Sequence, residues 1–361
     1  MTACDRCLRR GALLGMLGPW IARALGEQRR LPAVLALGDG ELVAAVCGRK
    51  RAVVDAELAR FDPAGLRRES AAARLWTVCP HTEGFPPQLQ HAPDAAAALW
   101  LRGDPARLEA LSDERAVAVV GARRPSVYGL EAARALGRDL AVAGVPVVSG
   151  MALGIDSAAH EGALEGGGLT IAVLAGGADI AYPRSRAGLH RRIAATGLVL
   201  SELPPGTRPF RWSFPARNRI MAGLAAMTVV VEGTVKSGSL ITAGFAQDLG
   251  RDLGAVPGQI TSALAAGPNG LIAEGAQVVR SAADVLDALY GAGSRPRHAT
   301  QPAPLDARLA GLLEAVERGA GSPDALASDA RETANVVAGL TELELLGLIR
   351  RGAGGNYVRC A

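Results

Sequence analysis

The chain has few aromatic residues and no long apolar run. It contains 5 Phe, 4 Trp and 4 Tyr among 361 residues, so a cluster of rings requires a specific reason. No apolar stretch approaches the roughly 20 residues that a membrane-spanning helix needs, and no contact with a membrane is predicted. Five cysteines are an odd number and do not suggest a disulfide framework. The sequence therefore predicts a reducing, cytoplasmic location.

Several signatures of catalysis and cofactor binding are also absent. The first Gly-rich turn, "GARRPSVYG" at residues 121–129, departs from the GxGxxG fingerprint of dinucleotide-binding proteins. Neither GxxxxGK[ST] nor GxSxG occurs, and no set of Ser, His and an acidic residue has a supporting context. The sequence thus predicts no catalytic residue and no cofactor.

Two N-terminal cysteines have the spacing of a pair of zinc ligands. They are Cys4 and Cys7 in "CDRC", but no second pair of Cys or His follows at the short distance of a zinc knuckle. We therefore predict two ordinary thiols near a frayed terminus, and no metal site.

The overall composition permits an anionic partner without requiring one. Apolar residues make up 49% of the chain, which is enough for a buried core, and the net charge is +4. A balance this mild says little by itself, so the local clustering of charge decides what the protein can bind. A length of 361 residues suggests two or three domains.

Short Val-rich apolar runs alternate with helix-forming segments from residue 116 onwards. Because each run is continuously apolar, both faces of the strand must be covered, as they are in a parallel sheet. Repeated alternation of strands and helices predicts a doubly wound, Rossmann-like α/β domain over residues 116–290. The runs are AVAVV (116–120), VPVVS (145–149), TIAVLA (170–175), GLVLSE (197–202), MTVVVE (227–232) and LGAVPG (253–258).

Two smaller units flank this domain. Residues 1–75 are Leu- and Ala-rich with helical spacing and predict a small helical domain, and residues 76–115 form a Pro-containing connector that ends in a strand. A linker at residues 291–304 precedes residues 305–361, where three helical segments and a Gly-rich turn predict a winged-helix-like domain. A plain three-helix bundle is the alternative for this last unit.

The loops that follow the strands of a doubly wound sheet share one edge, and here that edge is basic. Ligands bind beyond the carboxyl ends of the strands, near the topological switch point. Four of the five loops bring cations to this edge, which predicts a basic rim for an anionic ligand. The cations are Arg123, Arg124, Arg184, Arg186, Lys236 and the arginines of residues 208–219.

Two of these loops also resemble phosphate-binding turns. Residues 149–154 place Ser149, Gly150 and Gly154 before a helix, where free backbone N–H groups and the helix dipole suit a phosphate. Residues 236–239 repeat the arrangement with Lys236, Ser237, Gly238 and Ser239. The alternative is structural: Asp156 and Ser237 would be helix N-caps, and the glycines would allow tight packing.

The segment "PFRWSFPARNR" at residues 209–219 looks like a loop in which rings alternate with guanidinium groups. A single nucleic-acid strand offers unstacked bases to aromatic faces and phosphates to a basic groove. We therefore predict base stacking on Phe210, Trp212 and Phe214, with Arg211, Arg217 and Arg219 nearby. The alternative is that the rings anchor the loop, and we expect at least one to do only that.

The ordered motifs resemble the DNA-processing protein A family, also called Smf. They are "GARRPSVYG", "SGMALGIDSAAH", "GADIAYP", "SELPPGTRPFRWSFPARNRIMAGL", "VVVEGTVKSGSLITAGFA" and "VPGQI…GPNGLI". The resemblance implies an extended Rossmann fold and a protein that binds single-stranded DNA in natural transformation. It also implies that this protein helps load the RecA recombinase, acts as a homodimer and is not an enzyme. It also implies a phosphate pocket built from Gly121, Arg123, residues 149–154, residues 217–219 including Asn218, and residues 236–239.

Two other functions remain open from the residues alone. "EGTVKSGS" faintly resembles the glycine-rich loop of nucleotide phosphoribohydrolases, which would make Glu232 a catalytic carboxylate. A scaffold for protein assembly is the third interpretation. It explains neither the alternation of Arg with rings nor the two anion-binding loops.

Overall fold

The computed structural model describes residues 2–26, 31–90, 94–113, 115–293, 306–319, 322–327, 330–345, 348–351 and 356–359. Its contacts divide the chain into two compact units, Met1–Ala299 and Thr300–Ala361. Within the described residues, no helix has both the length and the apolar character needed to cross a membrane.

The helices of the first unit begin beside the N-terminus and then alternate with strands. They are α1 (Asp5–Gly26), α2 (Leu31–Leu35), α3 (Asp39–Cys47), α4 (Arg51–Ala59), α5 (Pro63–Ala72), α6 (Ala106–Asp113), α7 (Val127–Val142), α8 (Ile155–Glu165), α9 (Ala187–Thr196), α10 (Ser213–Leu224), α11 (Gly238–Asp248), α12 (Ala266–Ala273) and α13 (Ala282–Tyr290). The second unit contains α14 (Ala307–Glu317), α15 (Pro323–Leu326) and α16 (Ala330–Leu345).

The strands of the first unit form one nine-stranded sheet with the order β1-β2-β6-β5-β4-β3-β7-β8-β9. Strands β3 to β9 pair in parallel, whereas β2 is antiparallel to both β6 and β1. The strands are β1 (Trp76–Val78), β2 (Leu99–Gly103), β3 (Ala116–Val120), β4 (Val147–Ser149), β5 (Thr170–Val173), β6 (Leu198–Ser201), β7 (Ala225–Val230), β8 (Asp252–Ala255) and β9 (Gln277–Val278). This order confirms the predicted doubly wound α/β class.

Strand β3 lies at the centre of the parallel region and shows why its sequence is continuously apolar. All five of its residues are buried. Val117 and Val119 pack with residues of α7 and α8 on one face. Ala118 and Val120 pack with residues of α10 and α11 on the other. The chain leaves β3 for β4 on one side of the sheet and returns to β7 on the other, so the switch point lies between β3 and β7.

The N-terminal helices pack over the antiparallel edge of the sheet through one large ring. Trp100 of β2 is fully buried, and its indole N–H donates to the Ser70 hydroxyl of α5 over 3.1 Å. A Cβ atom at Gly11 of α1 would overlap this ring. The close approach of α1 to the sheet therefore requires glycine at this position.

The described residues of the second unit form three helices, followed by a two-stranded antiparallel sheet of β10 (Ile349–Arg351) and β11 (Tyr357–Arg359). Its own core includes Leu309, Val336, Leu340 and Tyr357. Helices followed by a small hairpin are compatible with the winged-helix-like prediction, which stays a prediction.

Candidate functional site

A cavity of about 270 Å³ opens at the switch point between β3 and β7. A second cavity of about 110 Å³ shares four of its lining residues, namely Arg123, Ala152, Phe214 and Arg217. We call the two cavities together the trough. Its walls come from the loops after β3 and β4, from α10, and from the start of α11. The predicted site residues that line it are Gly121, Arg123, Gly150, Phe214, Arg217, Asn218, Ser237, Gly238 and Ser239.

Helix α10 corrects the prediction that residues 209–219 form a loop. The helix begins at Ser213 and places Pro215 in its first turn, where a missing backbone N–H costs nothing. Arg217 and Arg219 are two residues apart, and side chains with this spacing do not face each other on a helix. The two guanidinium groups therefore point to different surroundings, and only Arg217 lines the trough.

Arg217 is a buried cation at the wall of the trough. It donates from Nη1 to the Val173 carbonyl over 2.9 Å and from Nε to the Asn218 side-chain oxygen over 3.0 Å. Its one carboxylate partner among the described residues is Asp156, at 3.9 Å. Burial lowers the pKa of Arg217, Asp156 opposes this shift, and the positive charge of Arg123 adds to it. An anion in the trough would relieve this excess of positive charge.

Arg123 brings the second cation to the trough, beside two rings. Its guanidinium lies 5.3 Å from the centroid of the Phe214 ring, a separation at which a cation and an aromatic face attract. The Tyr182 ring lies 5.6 Å from Phe214 and is 47% exposed. Sequence reasoning missed Tyr182, although it follows β5 in "IAYP" and so belongs to the same edge of the sheet.

The other two predicted stacking rings anchor the chain instead. Trp212 is only 3% exposed, and its indole N–H donates to the Gly18 carbonyl of α1 over 2.9 Å. Phe210 stacks on Trp212 at 6.1 Å and also contacts Gly18. Neither ring lines the trough. In this structure they hold the start of α10 against α1. The burial of Trp212 corrects the base-stacking expectation for that ring, whereas Phe210 is partly exposed and its stacking role stays a prediction.

Arg219 likewise has a structural role. It donates from Nη2 to Glu202 over 2.7 Å and lies 3.1 Å from Asp94. Its Nη1 group donates to the Ala216 carbonyl over 2.8 Å. Both carboxylates are nearly buried with it. A cation satisfied on all sides has no capacity left for a phosphate, so the predicted DNA contact of Arg219 is corrected.

The loop of residues 149–154 holds an internal carboxylate rather than offering free N–H groups. The N–H groups of Gly150 and Ala152 point to Asp156 at 3.2 and 3.4 Å. The Ser149 hydroxyl donates to the Val119 carbonyl, and Gly154 takes a φ of +82°. The glycines allow close packing, as the structural alternative predicts, but Asp156 is not the N-cap of α8, because that position is occupied by Gly154. Gly150 and Ala152 of the loop line the trough, and the loop also places Asp156 beside Arg217.

Gly150 has a further role, since it leaves room for the guanidinium of Arg217. A Cβ atom at position 150 would overlap that group directly. Glycine is therefore required here by a side chain that approaches the backbone, and not by an unusual φ angle. The position of Arg217 in the trough depends on it.

The start of α11 supplies hydrogen-bond donors on the opposite wall. Ser237 caps the helix and its hydroxyl lies 2.8 Å from the Ser239 hydroxyl. Asn218 of α10 donates to the Gly238 carbonyl over 3.3 Å and ties the two walls together. A helix N-terminus with hydroxyl groups and an exposed glycine suits an anion. This second loop fits the phosphate-binding prediction better than the first.

Several predicted residues lie outside the trough lining. Lys236 and Arg211 are exposed and line neither cavity, and Lys236 forms no ion pair with any described residue. Arg186 pairs with Glu161 at 3.2 Å. His160 is buried against the Thr170 hydroxyl at 2.7 Å, and burial, with Arg217, lowers its pKa to about 3. It is a packing residue, as the sequence predicts.

The carboxylate that a nucleotide hydrolase would need is engaged elsewhere. Glu232 accepts hydrogen bonds from the Ser126 N–H at 2.8 Å and from the Ser126 hydroxyl at 2.6 Å. It fixes the start of α7 and is not among the residues that line the trough. This arrangement gives the phosphoribohydrolase alternative no support.

Known proteins are similar to this chain in sequence and in fold. The sequence model of the family described as DNA recombination-mediator protein A matches residues 76–290. A DNA processing protein DprA of Mycobacterium tuberculosis is 43% identical over 256 residues, which are 69% of this chain and 65% of that relative. The chain thus matches less than two thirds of the length of this relative.

Two solved structures are similar to most of this chain. DNA processing protein A of Streptococcus pneumoniae is 34% identical, with a TM-score of 0.62 over 79% of this chain and 98% of that one. The protein from Helicobacter pylori, whose single-stranded DNA binding mode has been described, is 30% identical. It gives a TM-score of 0.53 over 60% of this chain and 97% of that one.

Proposed function

This chain belongs to the DNA recombination-mediator protein A family, and on that premise we propose that it binds single-stranded DNA along the trough in DNA uptake and recombination. The observation that carries the proposal is the charge balance of the trough. Two guanidinium groups, Arg123 and Arg217, meet there with one carboxylate, Asp156. A backbone phosphate would supply the missing negative charge.

A nucleic-acid strand fits the trough better than a single nucleotide does. The two cavities share part of their lining, and rings line them at Phe214 and Tyr182. Exposed cations at Arg124, Lys236 and Arg211 extend the positive charge beyond the cavities. In a single-strand site, a series of cations contacts the successive phosphates, and the rings between the cations stack with unstacked bases. The Helicobacter pylori relative, which binds single-stranded DNA, supports the same ligand here.

The proposal extends to two protein partners and excludes catalysis. We infer from the family that the protein forms a homodimer, protects incoming strands and helps place RecA on them. Light scattering would test the dimer, and RecA filament assembly on a coated single strand would test the loading. Release of free base from a nucleotide, lost in Glu232→Gln, would contradict a purely binding role. A cytoplasmic location stays a prediction from the sequence.

The central test is a titration of single-stranded DNA at several salt concentrations. Arg123→Ala should weaken binding to all sequences alike and reduce the log–log salt slope by about 0.7, the value for one phosphate on a single strand. Lys236→Ala should act in the same direction through the exposed rim. Duplex and mononucleotide competitors should displace the single strand poorly.

Arg138→Ala is the matched control, because it removes one exposed arginine near the end of α7. This residue pairs with Asp139 and lines neither cavity. The proposal fails if Arg123→Ala and Arg138→Ala bind single-stranded DNA with the same affinity and the same salt slope as the unmodified protein.

A further inference from the structure

Three thiols and one imidazole converge at the N-terminal end of α1. The sulfur atoms of Cys4, Cys7 and Cys79 and a ring nitrogen of His81 all lie within 4.8 Å of one another. Cys4 and Cys7 stand at the start of α1, whereas Cys79 and His81 follow β1. Cys4 and Cys79 are 75 residues apart in the chain. The fold thus supplies the second ligand pair that the neighbourhood of "CDRC" lacks in the sequence.

The distances in this cluster match the edges of a tetrahedral metal site. The Nδ1 atom of His81 lies 3.7 Å from the sulfur of Cys4, 3.4 Å from that of Cys7 and 3.9 Å from that of Cys79. Zinc bonds of about 2.3 Å to sulfur and about 2.0 Å to nitrogen give sulfur–nitrogen edges of roughly 3.5 Å in a tetrahedron. Three separate distances scatter around that one value.

We propose that Cys4, Cys7, Cys79 and His81 form a structural zinc site of the Cys₃His class. Four protein ligands fill a tetrahedron and leave no open position for water or substrate, which is the mark of a structural rather than a catalytic zinc. A pair of cysteines alone would suggest a disulfide. Three sulfurs and an imidazole nitrogen converging on one centre fit a metal better, because a disulfide would leave the third thiol and the imidazole unused.

The surroundings of the cluster support thiolate ligands. The Cys4 N–H points to the sulfur of Cys79 over 3.4 Å. Donors aimed at metal-bound sulfurs are the outer shell that such sites use to orient and stabilise their ligands. Two of the three cysteines are buried, while His81 closes the site on its exposed side.

A hydroxyl group fixes the turn that carries the downstream ligands. The Thr82 Oγ1 atom accepts from the Cys79 N–H over 2.9 Å and donates to the Cys79 carbonyl over 2.8 Å. On the other side, Arg67 of α5 donates to the Ala3 carbonyl over 3.0 Å and to Asp5. Both ligand pairs are therefore held in place by contacts that do not involve the metal.

Zinc at this place would join α1 to the β1 edge of the sheet. Gly18 of α1 contacts Trp212 and Phe210, the two rings that precede the start of α10. The metal would thus stabilise the element that supports the arginine helix of the trough, without contacting the trough itself. The metal–ligand bonds would stabilise the folded protein. The bound metal would also cross-link Cys4 and Cys79, which are 75 residues apart, and a cross-link that closes a long loop adds to stability.

The test measures metal in the reduced full-length protein, purified without chelator. Mass spectrometry of the elements should find about one zinc per chain. Replacement by cobalt should give the intense visible bands of a tetrahedral ion and a near-ultraviolet band from thiolate charge transfer. Cys79→Ser should lose most of the bound zinc. The matched control is Cys47→Ser, because Cys47 is also buried in the N-terminal helices but lies outside the cluster, and this variant should keep its zinc.

If Cys79→Ser does not fold, the unmodified protein still decides. Removal of zinc by a chelator should lower the melting temperature, and added zinc should restore it. The proposal is overturned if the reduced protein contains no zinc and gives no tetrahedral cobalt spectrum, or if Cys47→Ser loses as much metal as Cys79→Ser. A stable disulfide between Cys4 and Cys7 in protein kept under reducing conditions would overturn it as well.

Discussion

The two sides of α10 carry arginines in opposite electrostatic situations. Arg219 meets two buried carboxylates, Glu202 and Asp94, at 2.7 and 3.1 Å. Arg217 meets one carboxylate at 3.9 Å and faces a cavity that Arg123 shares. Both side chains are less than a tenth exposed. Burial therefore does not distinguish a structural arginine from a binding one. The count of nearby negative charges does.

Arg219→Met should produce the largest loss of stability. It leaves Glu202 and Asp94 buried without a cation, and breaking a buried ion pair from one side costs about 3–5 kcal/mol. Chemical denaturation should show this loss as a lower midpoint with an unchanged slope. The folded fraction should bind single-stranded DNA normally, and a binding defect greater than the loss of folded protein would remove the distinction between the two sides of α10.

Arg217→Met should give the converse result. We expect a smaller loss of stability than in Arg219→Met, because Asp156 keeps its two backbone hydrogen bonds. Binding should lose about 2–3 kcal/mol, or about 30- to 150-fold in affinity, because the buried donor to a phosphate is gone. Arg217→Lys keeps the charge without the planar group and should recover only part of the affinity. Wild-type binding by Arg217→Met would place the ligand elsewhere.

Gly150→Ala should weaken binding without touching the ligand. Its new Cβ atom would overlap the guanidinium of Arg217 and force that group out of position, for which we expect about a tenfold loss of affinity, or 1.4 kcal/mol. Gly244→Ala is the matched control, since Gly244 of α11 lines neither cavity of the trough and a Cβ atom there meets nothing within 4 Å. Equal effects of the two substitutions in a fluorescence anisotropy titration would argue against the positioning of Arg217 by Gly150.

Phe214→Leu should have the smallest effect. Leucine keeps an apolar wall but removes the ring that lies under Arg123 and against Tyr182. Stacking of a base on a ring contributes about 1–3 kcal/mol when the ring is removed entirely, so we expect the loss for leucine to fall at or below the lower end. The salt slope should stay unchanged, because no charge is lost. An altered slope in the same titration would show that the ring acts by placing Arg123.

The sheet could be predicted because its strands are buried on both faces. The Val-rich runs that became β3 to β8 required no knowledge of the tertiary structure, and continuous apolarity indicated the parallel arrangement. Strands β1 and β9 were not predicted, since segments of three and two residues carry no pattern. The position of the basic loops was also predictable, because the loops that follow parallel strands all lie at the same edge of the sheet.

Helix α10 could not be predicted from hydrophobic periodicity. Nearly all of its residues are buried, from Ser213 through Leu224 with only Phe214 and Pro215 partly exposed. A helix covered on all sides has no polar stripe and therefore no helical pattern. Of the two partners of Arg219, Asp94 was hidden because it lies 125 residues away in the chain. Glu202 lies only 17 residues before Arg219, at the same edge of the sheet, and could be expected to orient a nearby arginine. Sequence alone could gather cations at one edge but could not tell which were already neutralised.

The buried indole of Trp212 determines what intrinsic fluorescence can report. The chain has 4 Trp, all within the described residues, and none lines either cavity of the trough. Trp100 and Trp212 are almost wholly shielded from solvent, so their emission should shift to the red when the first unit unfolds. A DNA strand bound in the trough would therefore place no base against a Trp side chain. Emission is thus a clean signal for denaturation, and a labelled oligonucleotide is needed to follow the ligand.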